Sequence, residues 1–196
     1  MLSIKFGVAL FLGIIILSCS KHVTDNPETL RSEFDTLSVQ EAKRMVVGKQ
    51  FFDKYWNQDG GFRNKYKLVS IDRVDVVRDD ATQLMWYRSG SKDFLTLPEA
   101  RTWIAELNYI KYAGYSDWRL PTLEEALSLM ENVKMNGSLY IDPKFDSWQW
   151  CILTGDLFDE SHNWLVAFSG RVDWSSSNVS INYVRPVRSF QNNGFK

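Results

Sequence analysis

The sequence predicts an α+β domain in which two helices pack on short antiparallel strands, preceded by an extra N-terminal helix. Three observations carry this expectation. Two stretches with apolar residues at helical spacing each begin with a capping box, Thr96 with Glu99 and Thr122 with Glu125. Short apolar runs bounded by Gly, Ser and Asn lie on either side of them, the pattern of strands joined by turns. No unit repeats along the 196 residues, which excludes a solenoid or a propeller.

The elements follow in order. Residues 1–18 hold a single cation, Lys5, and the unbroken apolar run 6–17. Twelve such residues span only ~18 Å as a helix, short of a ~30 Å hydrocarbon core. A charged start, a short apolar stretch and a small residue before the break describe a secretory signal peptide. Residues 19–37 are polar and include Pro27, and they read as a tether. Residues 38–71 form a helix-and-strand extension: Ser38 with Glu41 caps a helix bearing Ala42, Met45 and Val46, which stops near Gly48. A turn signal at 57–61 and a strand at 66–71 complete it. The domain proper is 72–190. Its strands are expected at 74–77, 84–86, 150–153, 164–168 and 183–187. One helix carries Ala100, Trp103, Ile104 and Leu107; the other carries Leu123, Ala126, Leu127 and Met130.

Composition removes several functions. Lys and Arg number 23 against 24 Asp and Glu, so the clustered positive excess of a nucleic-acid binder is absent and no nucleic-acid partner is expected. Two cysteines exclude a disulfide-stapled miniature fold and a four-cysteine zinc site. Phosphate loops and the Rossmann glycine pattern are missing. Neither a metal nor a cofactor is expected. Glu124 and Glu125 are helix neighbours that diverge, Asp142 and Asp146 fall in a Pro-containing loop, and His162 lies in a polar stretch. None of these makes a catalytic set, and no catalytic residue is assigned. Cys151 sits in the apolar string 150–153 and reads as a small core residue without a basic neighbour to activate it.

Trp118 and Leu120 alternate in an extended segment that Pro121 ends before the Thr122 cap. Asp117 and Arg119 flank Trp118 and point the other way, toward charged neighbours. Arg185 and Arg188 are natural partners for Asp80, Asp117 or Asp146. One stretch suggests contact with a ligand. Residues 174–183 combine Ser and Asn with Trp and Tyr, the types that build adaptable binding surfaces. Trp174, Ser176, Asn178, Asn182 and Tyr183 are the candidate ligand contacts, against the plainer reading of a polar hairpin loop.

Ile16-Leu17-Ser18-Cys19 resembles a bacterial lipobox. That resemblance implies cleavage before Cys19, acylation of its sulfur and a membrane partner reached through the lipid anchor. It places the protein in the cell envelope. Ser20, in place of Asp, is compatible with the outer membrane of a Gram-negative host. Gly114-Tyr115-Ser116-Asp117-Trp118-Arg119-Leu120-Pro121-Thr122 resembles the central signature of the Lcl C-terminal domain family. The supporting blocks keep the family's order. They are 80–86, the Glu99-Ala100 helix, Tyr140-Ile141-Asp142-Pro143, the Trp164-Leu165-Val166 strand and Tyr183-Val184-Arg185-Pro186-Val187-Arg188.

The resemblance covers residues 72 to 189 and implies a C-type-lectin-like fold, similar also to the formylglycine-generating enzymes. It implies a non-enzymatic surface lipoprotein that binds a glycan or a protein ligand. Gln83 stands where the family has Gly, and Cys151-Ile152-Leu153-Thr154 replaces a Trp-Ser/Thr-Ser strand. The cysteine pair of the formylglycine-generating enzymes and the calcium motifs of lectins are absent. An envelope hydrolase with an unrecognised carboxylate site, or an accessory subunit of an envelope complex, are the alternative functions. Replacing Cys19 by Ala is expected to abolish acylation. Metabolic labelling with a fatty acid measures this, and undiminished label in the variant refutes the lipoprotein expectation.

Overall fold

The computed structural model describes residues 27–177 and 179–190. The expected signal peptide, Cys19, the first part of the tether and Asn178 lie outside the described residues.

All three capping boxes close. Ser38, Thr96 and Thr122 each accept the backbone N–H three residues on, while Glu41, Glu99 and Glu125 reach back to the cap. They start α1 (Val39–Gly48), α2 (Leu97–Tyr109) and α3 (Leu123–Ser128). Pro98 falls in the first turn of α2, where its missing N–H has no helical partner to lose. β1 (Tyr66–Ile71), β2 (Val74–Asp79) and β3 (Leu84–Tyr87) form an antiparallel meander, and β7 (Val187–Ser189) returns to pair with β3. The sheet order is β1-β2-β3-β7. β4 (Cys151–Asp159), β5 (His162–Ala167) and β6 (Arg171–Ser176) make a second antiparallel sheet in sequence order. The domain therefore mixes helices with two antiparallel sheets.

The central strands of the first sheet are buried on both faces. Val77, Leu84, Trp86 and Val187 enter a large core shared with α1, α3, β4 and β5. Val76 and Met85, one residue out of phase, enter a second core with Ala100 and Ile104 of α2, Trp118 and Leu120.

Three expectations are corrected. The described part of the tether, 27–37, lies against the domain: Leu30 and Leu37 are buried in the large core, and Thr36 bridges Leu157 in parallel. The isolated apolar residues in a polar string hid this, because a segment without periodicity can still insert single side chains. Residues 174–176, read as part of a loop, belong to β6 and pair with β5, Trp174 opposite Trp164. Residues 183–186, expected in a strand, form no ladder. Their backbone groups are shared out instead: Tyr183 O accepts from Leu153, Val184 O from Ser91 and Pro186 O from Tyr87. Pro186 has no N–H to donate, so a continuous pairing fails there.

Two carboxylates organise the edges of this arrangement. Asp53, almost fully buried, accepts the N–H groups of Tyr55 and Trp56 on one oxygen (2.8 and 2.9 Å). Its other oxygen accepts the N–H of Val172, 2.9 Å away, on the outer side of β6. Asp156 of β4 is fully buried and receives four donors. Arg31 binds both oxygens (2.9 and 2.6 Å), Asp35 donates its N–H at 2.8 Å, and Leu123 at the start of α3 donates at 2.7 Å. Replacing Asp156 by Ala leaves a guanidinium and two N–H groups without their acceptor. The expected loss is roughly 3–5 kcal/mol, the range for breaking a buried pair from one side. Denaturant unfolding measures it, and a loss within error of zero contradicts this role.

Candidate functional site

The signature residues fall in structural positions. Trp118 is buried, its indole N–H donates to Tyr112 O (2.9 Å), and Asn108 clasps its backbone N–H and C=O at 2.8 Å each. Arg119 forms a two-pronged pair with Glu125 (2.6 Å on each oxygen), and Arg188 does the same with Asp117 (2.6 and 3.0 Å). Pro121, buried behind Leu120, passes its carbonyl to Gly155. Arg185 departs from expectation. It is fully buried and faces carbonyls instead of a carboxylate: Tyr87 O at 3.4 Å, Arg88 O and Asp146 O at 3.1 Å. Asp80 is taken by Lys67 and Arg78. Burial lowers the pKa of Arg185, against the opposing influence of the Asp146 carboxylate and of Tyr66.

The candidate ligand contacts do not share one surface. Alternation along β6 puts Trp174 and Ser176 on one face and Ser175 on the other. Trp174 is 43% exposed, stacked on Phe158 (4.7 Å between centroids) and edge-on to Trp164. Asn182 and Tyr183 are buried: Asn182 donates to Ser175 Oγ (2.9 Å) behind the sheet, and Tyr183 packs on Phe94 at 4.1 Å. Asn178 lies outside the described residues. His162 sits at the β4–β5 turn with Nδ1 2.8 Å from Asp159. Cys151 is buried, and that burial pushes its thiol up to about 11. Among the described residues no three His, Cys, Asp or Glu side chains are grouped to hold a metal ion.

A different surface gathers binding chemistry. Tyr87 ends β3, Trp103 projects from α2, and Trp148 and Gln149 lie in the loop before β4; with Lys92 they line a hollow of 560 Å³. That size suits a small-molecule ligand or one to a few sugar rings. A second hollow of 460 Å³ adjoins it across Lys92 and Trp103 and ends at Glu99 and Glu106. Together they form one groove.

Its walls are held by the signature arginine. Arg185 joins the carbonyls that follow β3 to the carbonyl of Asp146, while Arg88 reaches Asp146 (3.3 Å) and Lys144 O (3.0 Å). Behind the surface, Tyr87 stacks on Tyr112 (4.4 Å, 15° between planes), which meets Trp118 edge-on. Tyr87 also contacts Trp103 at 5.6 Å. The aromatic floor is thus continuous with the core.

Trp148 and Gln149 have opposite fates on adjacent positions. Trp148 is 69% exposed, whereas Gln149 is 4% exposed. The Gln149 amide donates to Ser91 O (2.8 Å), yet its Oε1 is buried with no partner among the described residues. An acceptor in that state costs about 1–3 kcal/mol until a donor reaches it. Neither residue figured among the sequence candidates. The available signal was the alternation Trp148-Gln149-Trp150, aromatic outside and polar inside, against the usual order of a half-buried strand.

The model of the Lcl C-terminal domain family matches residues 75–188, from β2 into β7. No curated protein and no solved structure matches the chain.

Gly90 fits Gln149 into place. Its φ is +76°, and a Cβ there would stand 2.7 Å from Val184 O and 3.1 Å from Gln149 Cγ. Gly90→Ala is expected to cost about 1–3 kcal/mol through strain and displacement. Urea unfolding of the variant is the measurement, and an unchanged midpoint would mean that the loop relaxes freely.

Proposed function

Since the chain belongs to the Lcl C-terminal domain family, we propose that its domain is a C-type-lectin-like recognition module that binds a glycan without catalysis. The module is displayed on the cell envelope by a lipid on Cys19. The single observation that carries the reading is the groove between Trp148 and Trp103 with the unpartnered Gln149 Oε1 inside it.

Sugars present flat C–H faces that pack on aromatic rings and hydroxyls that satisfy buried acceptors. Trp148 and Trp103 offer the rings, and Gln149 offers the acceptor. Backing by Tyr87 and Tyr112 fixes the floor before a ligand arrives, which reduces the ordering cost of binding. The titratable groups weighed as a hydrolase pair are engaged elsewhere. Glu125 holds Arg119 and the α3 cap, Glu124 faces Arg31 and Lys49, and Asp142 accepts from the Lys144 backbone. The two adjoining hollows favour an oligosaccharide over a single sugar.

A glycan array probed with the full chain identifies the ligand class. For a glycan so found, Trp148→Ala is expected to weaken binding by about 2 kcal/mol, roughly thirtyfold in Kd, with little change in melting temperature because the ring is exposed. Trp174→Ala is expected to leave affinity unchanged. The reverse pattern would move recognition to the β6 face.

A further inference from the structure

A third hollow, built from other residues, has a different chemical character. It measures 690 Å³ and lies between the segment entering β1 and the loop that follows α3. Phe62, Tyr66 and Met135 give it apolar walls, while Asn64, Glu131 and Asp142 give it acceptors. The acceptors lie deep. Asp142 is 8% exposed, and the Asn64 Oδ1 and Tyr66 Oη atoms are buried without a partner among the described residues. The cations stand at the mouth, where Arg63 and Lys65 are exposed and Lys144 partly so.

Pairing inside the hollow is incomplete in a specific way. Lys144 answers Asp142, with Nζ 3.5 Å from Oδ1. Glu131 and Arg63 form no ion pair among the described residues, although both line the same space. Glu131 is held by the Asn64 side chain, and burial, together with Asp142 and Asp79, raises its pKa above the ordinary range. A positive group arriving there relieves both the burial cost and the repulsion between carboxylates. The site therefore has a carboxylate without an ion pair inside, a guanidinium without one at the entrance, and apolar side chains in the same lining. A bare metal ion is a poor fit, since the space is far larger than an ion and lacks a third acidic or histidine ligand.

We propose that this hollow binds a free α-amino acid with an apolar side chain, its ammonium group taken by Glu131 and Asn64 Oδ1 and its carboxylate by Arg63. The ammonium supplies the cation that Glu131 lacks and the donor that Asn64 Oδ1 lacks, and the guanidinium fork matches a carboxylate. Phe62, Tyr66 and Met135 receive the side chain. Because none of these residues lines the aromatic groove, the site stands or falls independently of glycan binding.

The test is calorimetric titration of the full chain with L-leucine, with 3-methylbutylamine, which lacks the carboxylate, and with 4-methylpentanoate, which lacks the ammonium. Leucine is expected to bind at least about tenfold more tightly than either half-analogue. Arg63→Ala, at an exposed position, should reduce leucine to the affinity of the amine. Glu131→Gln, of nearly equal shape, should abolish leucine binding while the melting temperature shows the variant folded. Amine binding as tight as leucine would overturn the proposal in favour of a simple cation site. Binding of the carboxylate alone, binding indifferent to both substitutions, or no leucine binding up to about 10 mM would each overturn it as well.

Discussion

The carboxylate of Asp156 is the constraint around which the rest of the domain is arranged. A fully buried charge survives only when its lone pairs are met, and Asp156 meets donors of three residues from two separate parts of the chain. Arg31 and the Asp35 N–H bring the N-terminal segment onto β4, and the Leu123 N–H fixes where α3 begins. From α3 the same logic continues outward. Glu125 closes the cap and grips Arg119, the Arg119 backbone pairs with Val187 of β7, and the neighbouring Arg188 returns to Asp117. Ion pairs and backbone bonds alternate along this route, so a segment with little regular structure is located as firmly as a strand.

Much of this was written locally in the sequence. Each capping box announces itself in four residues, and the helices start where those residues say. The meander of β1 to β3 follows from apolar runs and turn residues of the same short range. The N-terminal segment was not legible, because Leu30 and Leu37 are single buried residues whose acceptance depends on a distant Asp156. Likewise β6 carries Asp, Trp and Ser, a composition that reads as loop until Trp164 and Phe158 are seen to cover one face of it. The groove was the least legible part. Trp103 looked like any apolar residue of a helix stripe, and Gln149 looked like any loop amide. Their meaning arises only when β3, α2 and the loop before β4 converge, which is a long-range fact.

Arg185 shows why residue type alone misdirects. An arginine just before the last strand calls for a carboxylate on electrostatic grounds, yet here its two terminal nitrogens bond main-chain oxygens at the end of β3 and in the loop before β4. That choice makes the loops rigid without fixing any side chain at the surface. Trp148 and Lys92 thus stand on loops braced from beneath. The frame and the groove-lining side chains are separate, so a change in the lining need not change how the groove is held.

The Asp53 bond to Val172 bears on how copies of the domain behave side by side. An outermost strand offers unpaired main-chain groups that invite the strand of a neighbour, and β6 occupies that position. Asp53 takes the outward N–H of Val172 and places negative charge beside it. A strand approaching the open side of β6 therefore meets a carboxylate at Val172 where it would look for a free donor, which works against edge-to-edge pairing at that point.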